Sequence, residues 1–147
     1  MKLFNLLLLF SFFASNKSYG DEVAPSVMSF KTKISTAEGQ PLEAASVTFR
    51  FTILDTAGTC VLYVEEYSNV SMKNSKGVVS FTLGSGNKTY PNTAISLHEV
   101  FNNSINSLSC QAGGTVSLKS TDKRKVVMQF NDGKPWQTLP EIAALGR

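Results

Sequence analysis

The chain has 147 residues, a formal charge of +3, ten phenylalanines, two cysteines and one histidine. This is the length of one ordinary domain with a real core. The charge is too small to give the electrostatic footprint of a nucleic-acid or anionic-membrane binder. A single histidine and two distant cysteines exclude the usual clustered zinc site.

The N-terminus reads as an export signal. Lys2 opens it, residues 3–13 are almost wholly apolar, and Ser18-Tyr19-Gly20 precedes the acidic pair Asp21-Glu22. That order is the positive, apolar and small-residue sequence of a secretory leader. The apolar run of about 11 residues is well short of the roughly 20 that a spanning helix needs. Cleavage is expected after Gly20, with Ala14 to Asn16 as the alternative. This leaves residues 21–147 as one domain with no transmembrane anchor. The +3 of the full chain less Lys2 and Lys17 is +1 for the mature part. The address is therefore the periplasm, the cell surface or the extracellular space.

Strand patterning dominates the rest. Met28, Phe30, Thr32 and Ile34 alternate with Ser29, Lys31 and Lys33, the period of two of a half-buried strand. A turn at 37–41 follows. Val47, Phe49, Phe51 and Ile53 then share one face, with Thr48, Arg50 and Thr52 on the other. Asp55-Thr56-Ala57-Gly58 is a turn. Over 60–67 the apolarity of Leu62 and Val64 assigns them to the core. Val61, Tyr63 and Tyr67 fall on the opposite face, and Glu65-Glu66 marks a solvent boundary. Val79, Phe81 and Leu83 form the next strand, and Gly84-Ser85-Gly86 stops it.

Residues 84–91 read as a polar turn and 95–101 as a short helix or irregular plug. A polar loop runs over 102–109. Strands return at 115–119 and 125–130. Asn131-Asp132-Gly133-Lys134 is strong turn chemistry. It closes a hairpin onto Trp136, Thr138 and Leu139. The tail 141–147 reads as a helical turn or loose end. Seven or eight short strands with turn signals and one loop or short-helix insert predict an all-β, antiparallel β-sandwich.

Cys60 and Cys110 are an even count in an exported chain, which predicts one disulfide. Two unpaired buried thiols are the alternative. Candidate chemistry is sparse. His98 has no nucleophile elbow beside it, and Glu65 and Glu66 point to opposite faces of a strand. The cluster of Lys119, Lys123, Arg124 and Lys125, with Asp122 among them, reads as a solvated loop and strand start, with a phosphate-binding patch as the alternative. No catalytic residue, cofactor site or metal site is assigned. A hydrolase using scattered carboxylates is the remote third reading. Tyr63, Tyr67 and Trp136 are the candidate interaction surface.

Three segments carry a family likeness. MSFKTKISTAEGQPLEAASVTFRFTILDTAG has a strand, a Gly-x-Pro turn, a Val-x-Phe-x-Phe-x-Ile-Leu-Asp strand and a Gly turn. CVLYVEEYSNVSMKNSKGVVSFTLGSG continues it, and KVVMQFNDGKPWQTLP supplies a closing hairpin. Residues 26–140 resemble the N-terminal β-sandwich of secreted, fibre-forming bacterial proteins. These include the mosaic trimeric adhesins of predatory bacteria, which resemble phage tail fibres. The resemblance implies surface display, homotrimerisation and a role in prey or host contact. It carries no binding residue over, because the shared positions are framework. The functional expectation is an exported, non-catalytic structural or adhesive module. Its partners would be copies of itself, a cell-surface protein or a glycan. The alternative is a periplasmic or secreted small-ligand or glycan-binding sandwich with the 84–114 insert over one sheet edge.

Overall fold

The computed structural model describes residues 27–140 except Ala37 and Asn106, together with the backbone of 142–144. The expected leader at 1–20 lies outside the described residues. Among the described residues the fold is all-β and antiparallel, with one short helix.

Six strands make a sheet, five of them in the order β10(Ile142–Ala144), β8(Arg124–Asn131), β2(Val47–Leu54), β3(Val61–Val70), β5(Asn87–Tyr90). β9(Gln137–Thr138) also pairs with β8, beyond β10 on the same edge. A two-stranded ribbon, β1(Met28–Lys33) with β4(Val78–Leu83), lies on this sheet. The contact between the layers is aromatic. The Phe81 ring meets Phe49, Phe51 and Tyr67 at 4.9, 5.0 and 4.9 Å, and Phe30 meets Phe51 edge-on at 5.6 Å. Each edge-to-face pair adds about 0.5–1.5 kcal/mol beyond the area it buries.

Alternation built this core as expected on β2, β4 and β8. Phe49, Phe51 and Ile53 stand opposite Phe130, Met128 and Val126 and are buried. β3 departs from expectation. Ile53 pairs with Tyr63 but Leu54 pairs with Val61, so Leu62 is an extra, bulged residue. The bulge lets both Leu62 and Tyr63 be buried. Beyond it, Tyr63, Glu65 and Tyr67 share the register of Ile53, Phe51 and Phe49 and face the core. Glu65 is therefore not a solvent boundary: its exposure is 0%.

Its carboxylate accepts from Tyr63 Oη (3.1 Å), from Tyr67 Oη (3.0 Å) and from the Gly84 N–H (3.0 Å). The Tyr67 hydroxyl hydrogen is shared with the Thr82 carbonyl at 2.6 Å. This network pins the end of β4 to the centre of β3. Burial drives the Tyr63 hydroxyl well above its usual range, with the Glu65 charge adding to it. Burial and then Glu65 push Tyr67 up to about 12.

The insert is more regular than its composition suggests. Residues 87–90 form β5 on the open edge of β3, and 107–109 form β6(Ser107–Ser109), paired with β7(Thr115–Ser117). Residues 142–144 are strand rather than helical turn. These three short strands bring the total among the described residues to ten. The expected helix is present as α1(Leu97–Phe101), started by a capping box of Ser96 and Glu99. Leu97, Val100 and Phe101 are buried.

Arg124 is also a correction. It is 1% exposed rather than part of a solvated basic cluster. Its Nε donates to the Val100 carbonyl (2.8 Å) and its Nη2 to Asn103 Oδ1 (2.8 Å), which ties the helix end to β8.

Gly77 occupies a position where only glycine fits without strain. Its φ is +78°, and a Cβ there would collide with the Ile34 carbonyl oxygen.

Candidate functional site

The face of the six-stranded sheet turned away from the ribbon carries a band of polar residues, set by the same alternation that makes the other face apolar. Registers across the strands place its residues in one line. Arg50 on β2 sits between Gln129 on β8 and Glu66 on β3. Gln129 in turn faces Thr138 on β9, and Glu66 faces Asn87 on β5. The result is a row running Thr138, Gln129, Arg50, Glu66, Asn87 across the strands.

The row is held by its own contacts. Arg50 Nε donates to Glu66 Oε1 at 2.7 Å, a charge-assisted pair with side chains 34% and 22% exposed. Gln129 Nε2 donates to Thr138 Oγ1 at 3.0 Å. The Arg50 guanidinium lies 4.1 Å from the centre of the Trp136 ring. A stacked, ion-paired arginine has few free rotamers, so the row is ordered before anything meets it.

Beside this row lies a groove of about 450 Å3, lined by Arg50, Thr52, Val64, Glu66, Gln111 and Gln129 among others. Its wall depends on the disulfide. Cys60 and Cys110 are bonded, with Cα atoms 5.1 Å apart. The next residue, Gln111, donates its backbone N–H to the Val61 carbonyl at 3.0 Å. The cross-link thereby brings the far end of the insert to the groove. The loop that presents Cys60 is closed by Asp55, which accepts from the Thr59 and Cys60 N–H groups at 2.8 and 2.9 Å. Burial raises the Asp55 pKa, but the backbone donors of Cys60, Thr59, Gly58 and Ala57 outweigh it and hold the carboxyl below its usual range.

The expected interaction residues do not form one surface. Trp136 is 36% exposed and belongs to the polar face. Tyr63 is 3% exposed and points into the core. The Tyr67 ring packs on Phe51 and Phe81. Both tyrosines find buried acceptors for their hydroxyls, so the core takes them despite their polarity. Arg50, Glu66 and Gln129 were legible only as members of polar faces. Their convergence depends on the pairing of β8, β2 and β3, which no local pattern encodes. His98 sits on α1 and does not line the groove. Among the described residues no three His, Cys, Asp or Glu side chains gather to hold a metal ion. Among them, too, no helix is long and apolar enough to cross a membrane.

The chain belongs to a family of domains of unknown function, DUF8740, whose model matches residues 29–131. The match runs from β1 to the end of β8 and includes Arg50, Glu66, Asn87 and Gln129. No curated protein and no solved structure matches the chain.

Proposed function

We propose that this protein is an exported, non-catalytic adhesive module of a surface fibre, acting through contact with copies of itself or with a partner. The observation that carries the proposal is the polar outer face. It is an open, pre-ordered row built from amide, hydroxyl and ion-paired groups, with Trp136 beside it. Such a surface suits recognition rather than the enclosed, water-excluding environment that electrostatic catalysis exploits. The leader-like N-terminus and the Cys60–Cys110 bond support an oxidising, exported setting. The resemblance to fibre modules supports a homotrimer displayed at the surface.

Light scattering coupled to size exclusion tests the assembly. A trimer is expected, and a strict monomer across micromolar concentrations would count against self-association. The second reading, a periplasmic or secreted small-ligand or glycan-binding sandwich, is favoured by the size of the groove. Its roughly 450 Å3 lies within the range of small-molecule sites. A thermal-shift screen of small ligands separates the two readings. Stabilisation of a monomer favours the second.

A further inference from the structure

We infer that the outer face of the six-stranded sheet takes an extended, uncharged saccharide chain, lying across the strands along Thr138, Gln129, Arg50, Glu66 and Asn87. The inference rests on the contact reading above and names the partner of that surface.

Charge comes first. Arg50 and Glu66 neutralise each other within the row, and its other members are neutral. A phosphate or sulfate chain would find one cation already paired, whereas anion binders need unpaired arginines or lysines. A cationic ligand would meet the same problem with Glu66.

Valence comes second. The Nη groups of Arg50 remain donors and Glu66 Oε2 remains an acceptor once the Nε–Oε1 bond is made. Gln129 has given one amide hydrogen to Thr138 and keeps its oxygen. Asn87 and Gln111 offer both senses. Interleaved donors and acceptors match a ligand whose every group both donates and accepts, which is the character of a hydroxyl.

Shape comes third. The row crosses five strands spaced about 4.8 Å apart, a span of roughly 19 Å, so it fits a chain better than a single small molecule. Apolar groups flank the row rather than form it: Val127, Leu54, Val61 and the buried Val64 on the strands, and the partly exposed Trp136 beside Arg50. A second protein surface would want a buried apolar anchor at its centre. Here the centre is an ion pair, with the indole to one side. A pyranose has an apolar face for the indole and hydroxyls for the row. The pre-ordered contacts lower the entropy lost on binding.

The test uses the purified, oxidised protein on an array carrying neutral, sialylated and sulfated oligosaccharides. The strongest neutral ligand is then titrated as a length series. Trp136 is the sole tryptophan, so its fluorescence reports the site directly. The expected result is saturable binding to a neutral chain, tightening at least tenfold from disaccharide to tetrasaccharide. Arg50→Met and Gln129→Ala should each weaken it tenfold or more by calorimetry, with the far-UV spectrum unchanged. Ser29→Ala, in the ribbon on the other layer, should bind as the parent does. Binding confined to sulfated or sialylated chains would overturn the inference. So would parental affinity in both row variants, or silence across the array. Silence from a protein that still forms trimers would sink the saccharide and leave the contact reading standing. Silence from a strict monomer would sink both.

Discussion

Glu65 is the residue whose role differs most from its appearance in the chain, and a double-mutant cycle with Tyr63 tests that role. Tyr63 Oη donates to Glu65 Oε2 at 3.1 Å, and both residues are buried, at 3% and 0% exposure. Tyr63→Phe removes one hydrogen bond to a buried charged group, a loss of about 1.5–3 kcal/mol. Glu65→Leu orphans two donors, the Tyr63 hydroxyl and the Gly84 N–H, at about 1–3 kcal/mol each. Tyr67 is spared because its hydroxyl retains the Thr82 carbonyl at 2.6 Å. Freeing the carboxylate from burial offsets part of that loss, so the cycle is more informative than either single value. In the Glu65→Leu background Tyr63→Phe removes an orphan rather than a partner. The coupling between the two sites should therefore be about 1.5–3 kcal/mol. Urea titration followed by Trp136 fluorescence and far-UV circular dichroism measures it. Additivity within about 0.5 kcal/mol would refute the buried network.

Three further predictions follow from the same structure. Replacing both cysteines by alanine opens a loop of 50 residues and should cost about 4 kcal/mol in the loop-entropy model, read as a lower urea midpoint; an unchanged midpoint would show the bond to be dispensable. Tyr63 and Tyr67 are held protonated by burial and by Glu65, so their folded values lie above the ordinary tyrosine value of 10. Their contribution is complete below about pH 10 and is lost as the pH rises through about 12 for Tyr67 and higher still for Tyr63, so absorbance at tyrosinate wavelengths should show two hydroxyls ionising only together with unfolding. Asp55 has the opposite sign. Its folded value is depressed by backbone donors, so its stabilisation is complete above the ordinary carboxylate range and is lost as pH falls from there through the lowered folded value. Asp55→Ala should lose about 1–3 kcal/mol at neutral pH and show a flatter acid limb in thermal melts.

Much of the molecule was determined by local pattern. Alternation on β1, β2, β4 and β8 chose which side chains entered the core, because a strand exposes its two faces with a period of two and only one face was apolar. Glycine, asparagine and aspartate placed the turns, and cysteine parity in an exported-looking chain anticipated the bond between Cys60 and Cys110. The short strands β5, β6 and β10 were invisible because their residues are polar or few; β5 and β10 exist through edge pairing with the longer β3 and β8, and β6 through pairing with the equally short β7.

What the tertiary structure alone decided was which face of β3 is inside, and what lies opposite what. Apolarity voted for Leu62 and Val64. Both are buried, Leu62 at the bulge and Val64 on the other face, yet the inner face is built from Tyr63, Glu65 and Tyr67, because three hydrogen-bonded polar groups satisfy one another there and the Tyr67 ring packs on Phe51 and Phe81. The row from Thr138 to Asn87 likewise joins residues as distant along the chain as Arg50 and Thr138. Strand order and register are long-range properties, fixed when two sheets close over one core, so a polar residue acquires its neighbours only when the whole sheet has formed.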